Sequence, residues 1–213
     1  MAKVEQPMQA LAAYLPENCF EEVVNYLVKY KVHLTITRAR KSVMGNYKSA
    51  YKGDNHKISV NGNLNKYSFL VTLLHELAHL LTFEKYGSRV QSHGREWKAI
   101  YSWLLADFLK KHIFPDDVVK AISESIHNPG ASACAEDGLM RALRKYDAHA
   151  PNKVLLETLP PGTHFLYSDK TYKKGKKRTK RFECIEVDSK KMYLFSPVCE
   201  VEVVRYKSFG QDK

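Results

Sequence analysis

The segment FLVTLLHELAHLLTF, Phe69 to Phe83, constrains this chain more than any other. It is an almost unbroken apolar run with two histidines and a glutamate embedded in it. His75 and His79 are four apart, so on an α-helix their imidazoles stand one above the other on the same face. Glu76 lies about 100° further round. Leu70, Val71, Leu73, Leu74, Leu77, Leu80 and Leu81 surround the three polar residues on nearly every side, which predicts a central, buried helix. Unpartnered polar groups in such a helix cost on the order of several kcal/mol each, so the pattern demands a partner for them.

A metal ion is such a partner. The residues read as HExxH: two imidazoles bind one ion, and the neighbouring carboxylate reaches a water on that ion without being a ligand. Catalytic zinc takes three protein ligands and keeps a fourth position open, so a third ligand is required. The metzincin continuation fails, because Thr82 stands where its glycine belongs and Lys85 where its histidine belongs. His93 is the best candidate: it follows a loop containing Gly87 and opens the next helical pattern, which an antiparallel return brings back beside the first. Glu96, one turn later, is its rival. His33, His56, His112, His127, His149 and His164 are scattered without ligand spacing and are expected at the surface or in the core.

The chain of 213 residues suits one compact domain and a smaller second one. No apolar run reaches membrane-spanning length, and the N-terminus lacks the basic-then-apolar layout of a secretory signal, so a cytoplasmic protein with no membrane partner is expected. Cys19, Cys134, Cys184 and Cys199 form no C-x-x-C pair and read as reduced structural thiols.

The formal net charge of +11 calls for an acidic partner, of which nucleic acid is the commonest. Eight of the twelve residues in KTYKKGKKRTKR, Lys170 to Arg181, are Lys or Arg. The run reads as a basic loop at a hairpin tip, where a solvated turn and a nucleic-acid contact compete as explanations. Overall basicity favours contact with nucleic acid, through Lys173, Lys174, Lys176, Lys177, Arg178, Lys180 and Arg181.

Periodicity divides the rest into an α+β architecture. Two short amphipathic helices are expected between Pro7 and Tyr30, broken at Pro16, with Asn18 capping the second. KVHLTITRARKS, GNYKSAYKG and HKISVNG read as three strands of a small antiparallel sheet, with Tyr47, Ser49 and Tyr51 on one face and Lys48, Ala50 and Lys52 on the other. Asn65 is a suitable N-cap for the HExxH helix, which should end before Gly87. Trp97, Ile100, Tyr101, Leu104 and Phe108 form the stripe of a second helix, with Trp97 and Trp103 as core anchors. A third helix follows Pro115. Residues 1–126 are thus expected to form one domain around the HExxH helix and residues 127–152 a linker packed on it, with one short helix at Leu139 to Tyr146. Residues 153–213 switch to period two and read as a small, ribbon-like all-β module, with turns at Pro160 to Gly162, in the basic loop and at Asp188 to Lys190.

LLHELAHLLTF followed by SHGREWKAI resembles the SprT-like family, which pairs HExxH with a later histidine in an H-G-x-x-[WF] setting. RARKSVMGNYK and HKISVN resemble the sheet of that family, so the likeness covers roughly residues 20 to 125. The resemblance implies a zincin-like minimal metalloprotease fold, one Zn2+ held by His75, His79 and His93, and Glu76 as the catalytic glutamate. Many SprT-like proteins continue into a zinc ribbon with two cysteine pairs. This chain has only Cys184 and Cys199 there, so no second zinc is expected.

Two readings of function follow. One is a zinc-dependent peptidase that cleaves proteins bound to or crosslinked with DNA, the basic loop bringing it to nucleic acid. The other is a zinc-containing, nucleic-acid-associated binding protein that cleaves little. An intact Glu76 favours the first, because a structural zinc site has no use for a base.

Overall fold

A computed structural model describes residues 6–40, 43–51, 53–127, 129–130, 136–148 and 152–204. The chain divides into two compact units, Met1–Asp147 and Ala148–Lys213. Expectations that fall on Cys134, His149, Lys52 and the middle and end of the linker lie outside the described residues.

In the first unit, a 3-10 segment at Met8–Tyr14 precedes helix α1, Phe20–Lys29. Helix α1 buries Val23 and Leu27, carries Glu21 and Glu22 in its first turn and ends on Lys29, charges that suit the helix dipole. Asn18 does not cap it. The N-cap position is Cys19, without a side-chain cap bond, while Asn18 takes a left-handed φ of 62° to turn the chain after Pro16.

Three strands follow: β1 (Val32–Thr37), β2 (Gly45–Lys48) and β3 (His56–Asn61). Their sheet is mixed rather than antiparallel. Strand β3 is central, parallel to β1 and antiparallel to β2. Alternating residues identify a strand but not its partner or direction, and here β2 crosses to the far edge and leaves the middle to β3. The buried Ile58 and Val60 mark β3 as the strand that faces the core. Strand β2 stops at Lys48, so Ser49 and Tyr51 lie beyond it, and Tyr51 is exposed.

Helix α2, Lys66–Tyr86, is the centre of this unit. The Asn65 side chain caps it by accepting from the Ser68 N–H at 2.9 Å, and Gly87, at φ 70°, ends it. Every residue from Ser68 to Ala78 is buried, as an all-round apolar sequence requires. Helix α3, Arg95–Leu109, packs on α2 through the buried Trp97, Tyr101, Leu104, Leu105 and Phe108. Trp103 is no core anchor. It falls off the stripe on which Trp97, Tyr101, Leu104 and Phe108 lie, and is 55% exposed. Helices α4 (Asp116–Ser125) and α5 (Asp137–Arg144) complete the unit, Leu139, Ala142 and Leu143 joining Val118 and Ile122 in the same core.

The second unit is one six-stranded antiparallel sheet, wider than a ribbon. Its strands are β4 (Lys153–Leu155), β5 (His164–Tyr167), β6 (Lys170–Lys177), β7 (Phe182–Glu186), β8 (Met192–Phe195) and β9 (Glu200–Val203), in the order β4-β9-β5-β6-β7-β8. Leu156, Phe165, Tyr172, Phe182, Cys184, Phe195 and Val201 form its core. Ser168 and Asp169, at φ 48° and 64°, make the two-residue turn between β5 and β6.

The basic segment is therefore mostly strand, not loop. Period two runs through Lys170–Lys177, with Tyr172 and Lys174 turned inward, and the alternation is hidden in the sequence because lysine counts as polar while its stem packs as an apolar chain. Only residues 178–181 form the connecting turn. No helix among the described residues is long and apolar enough to cross a membrane.

Candidate metal centre

Helix α2 delivers His75 and His79 from consecutive turns of its buried length, and the chain returns through a loop to place His93 just before α3. His93 has φ 59°, a left-handed conformation rare for a residue with a Cβ, and Gly94 after it is the helix N-cap. This kink turns the His93 imidazole back toward α2.

The three Nε2 atoms converge. Those of His75 and His79 are 3.2 Å apart, those of His79 and His93 3.0 Å, and those of His93 and His75 3.2 Å. Such a closed triangle cannot satisfy itself, because N–H···N lines around it lie far from linear. Three imidazole nitrogens on one tetrahedral ion, at about 2.0–2.1 Å each, stand about 3.3–3.4 Å apart, close to the spacing found. The donor set therefore fits a divalent ion that takes nitrogen ligands. Glu96 stands outside this cluster, its carboxylate lying near Gly94.

Protonation suits the same chemistry. Burial, with added repulsion from the neighbouring imidazoles, pushes His75 down to about 3 and His79 down to about 4, and burial also lowers His93. All three are neutral at ordinary pH and offer lone pairs, as metal ligands must.

Trp97 underlies the cluster. Its ring centroid is 4.7 Å from that of His75, 5.3 Å from His79 and 4.6 Å from His93. Tyr101 backs His75 at 5.5 Å, but it is fully buried with its hydroxyl unpartnered, so it does not open on the site.

Glu76 is buried beside the cluster, against edge strand β2. The Tyr47 N–H donates to its carboxylate, and Gly45 leaves the space the carboxylate fills. Burial pushes the carboxyl up to about 8, while the charge of Arg40 and the Tyr47 N–H pull it down. Arg40 is fixed by Asn61 Oδ1 at 2.7 Å and Ser59 Oγ at 3.0 Å. Burial thus raises the proton affinity of this carboxyl, and a cation held by the three imidazoles would lower it again, since a nearby positive charge favours the carboxylate.

His56 is the residue that sequence spacing passes over. It is buried, 2.9 Å from the Tyr47 hydroxyl, and Tyr47 in turn stacks near His79. The signal for it is faint: β3 opens with a polar residue where its alternation places an inward one.

The proposed nucleic-acid contacts divide. Lys173, Lys176, Lys177, Arg178, Lys180 and Arg181 are exposed on β6 and the turn after it. Lys174 is a correction: it is 2% exposed, and its ammonium donates to the Leu156 and Glu157 carbonyls at 2.8 and 3.3 Å and to that of Leu159. It also lies 3.9 Å from the Phe182 ring centroid. Arg178 is paired with Glu183. Cys19, Cys184 and Cys199 are free thiols.

Residues 9–106 match the SprT-like family. No curated protein and no solved structure matches the chain.

Proposed function

We propose that this chain, whose residues 9–106 match the SprT-like family, is a zinc-dependent metallopeptidase that cleaves proteins associated with or crosslinked to DNA. The observation that carries the reading is the meeting of His75, His79 and the buried Glu76 of α2 with His93, brought back by the loop before α3.

His75, His79 and His93 would hold the ion. An ion held there would supply Lewis-acid chemistry, lowering the pKa of a bound water to about 7 and polarising a substrate carbonyl. Glu76 accepts a proton as the water oxygen adds to the peptide carbonyl carbon, and returns it to the amide nitrogen as the C–N bond breaks. Burial, which raises its proton affinity, equips Glu76 for both transfers. Strand β2, at the sheet edge and held to Glu76 through the Tyr47 N–H, offers main-chain groups along which an extended peptide can lie. The exposed cations of β6 and its turn supply a phosphate-binding surface for DNA.

The test is cleavage of a DNA-binding protein, with and without single-stranded DNA, by the wild type and by Glu76→Gln at matched zinc content. Cleavage that requires Glu76 supports the peptidase, and stimulation by DNA supports its targeting. Equal inertness of both proteins with zinc bound removes the peptidase reading and leaves a zinc-containing binding protein.

A further inference from the structure

His79 differs from His75 and His93 in having an aromatic neighbour on the small sheet. Besides Trp97, it has Tyr47 of β2, whose ring lies 6.4 Å away, centroid to centroid, with the two planes 2° apart. The two rings are thus nearly parallel, at a separation within the range of interacting aromatic pairs.

Tyr47 is itself fixed at several atoms. Its N–H donates to Glu76. Its hydroxyl is 2.9 Å from Nδ1 of His56, and the Ala50 N–H points at the same nitrogen from 3.3 Å. A main-chain N–H can only donate, so Nδ1 is an acceptor and the Tyr47 hydroxyl is a donor to it. The ring proton of His56 is then on Nε2, which lies 3.3 Å from Oε1 of Glu84. Glu84 belongs to the last turns of α2, the helix that carries His79. A continuous brace thus runs from the end of α2 through the first residue of β3 to β2, and from there back to the ligand ring and to Glu76.

We infer that Tyr47 is a positioning residue for His79 and Glu76, and that His56 and Glu84 act on the metal centre through it. The inference rests on the zinc reading above and extends it to residues that touch neither the ion nor the substrate. A carboxylate–histidine pair that locks the neighbour of a ligand restricts the ligand's ring; outer partners that hydrogen-bond a ligand alter metal affinity by about 10–100-fold, and a ring that packs against one is expected at the low end of that range.

The test uses the full-length metal-free protein. Its zinc affinity is measured by competition with a chromophoric chelator, and its stability by urea unfolding, for the wild type, Tyr47→Phe, Tyr47→Ala, His56→Ala and the double variant Tyr47→Ala/His56→Ala. Tyr47→Ala should weaken zinc binding about 10-fold. His56→Ala and Tyr47→Phe, which keep the ring but cut its tether, should each weaken it less and by similar factors. The double variant should bind zinc no worse than Tyr47→Ala, because His56 has nothing left to act through. Unfolding curves at the same conditions identify the folded variants, and the volume-conserving Tyr47→Phe carries the test if Tyr47→Ala does not fold. Zinc affinities all within twofold of the wild type, with stability alone reduced, overturn the inference, and so do single effects that multiply in the double variant. A wild type that binds no zinc overturns the inference together with the zinc reading, whereas tight wild-type binding with unaffected variants overturns the inference alone.

Discussion

A Cβ on Gly45 would stand 2.5 Å from Oε1 of Glu76 and 2.8 Å from a methyl of Thr72, so the glutamate's carboxylate occupies the space that any side chain on Gly45 would need. Gly45→Ala must therefore push Glu76 away from β2 without touching an imidazole. The expected outcome is a fall in kcat on the order of 100-fold, as for a reacting group displaced by about 1 Å. Zinc content should be unchanged. Parallel assays of peptide hydrolysis and bound zinc check this, and a variant with full activity would show that Glu76 does not depend on this contact.

The ligand rings share one floor. Trp97 is fully buried beneath all three imidazoles, so its truncation should weaken folding and metal binding together. Trp97→Ala is expected to lose about 3–5 kcal/mol of stability, the usual cost of emptying an aromatic core site. Trp97→Phe should retain most of the stability while zinc affinity falls. In the wild type, zinc at 100 times its Kd should add about 2.7 kcal/mol to urea stability, an increment that chelation removes. His79→Ala should abolish that increment.

His93 combines an imidazole of the proposed metal site with a backbone conformation that disfavours side chains, at φ 59°. Replacing it by Ala or by Gly removes the imidazole equally, so both variants should lose zinc. Their metal-free forms should differ, with His93→Gly more stable than His93→Ala by about 1 kcal/mol because glycine alone takes this conformation without steric cost. Urea unfolding of the two apo-proteins measures the difference. Equal stabilities would mean that the loop relaxes and that the turn is not what aims His93.

The sequence conveys the centre of this molecule more clearly than its surroundings. Helix α2 is legible from end to end, because its cap at Asn65, its stop at Gly87 and its all-round apolar run point the same way. The sheet is legible as strands but not as a topology: nothing in the alternation of β1 says that it pairs parallel with β3. His56 escapes because spacing identifies ligands on one helix and cannot see a residue delivered from a strand that pairs elsewhere. Lys174 misleads for a related reason. A lysine in a basic run looks solvated until the fold closes three carbonyls around its ammonium.

That burial separates two roles within the basic segment. Lys173, Lys176, Lys177, Lys180 and Arg181 are exposed, Arg178 pairs with Glu183, and the ammonium of Lys174 is held inside the sheet. Substituting Lys176, Lys177, Lys180 and Arg181 together by Ala should weaken single-stranded DNA binding and flatten its salt dependence, by about 0.7 in the log–log slope for each phosphate no longer neutralised. Lys174→Met should do the opposite. It keeps the apolar stem but removes the buried ammonium that the Leu156, Glu157 and Leu159 carbonyls share, so unit stability should drop by about 1–3 kcal/mol while the slope of the folded protein is unchanged. Fluorescence anisotropy across a salt series, read beside thermal unfolding, distinguishes the two. If the fourfold substitution leaves both affinity and slope as in the wild type, β6 and its turn are a solvated surface and the proposal that they target DNA falls.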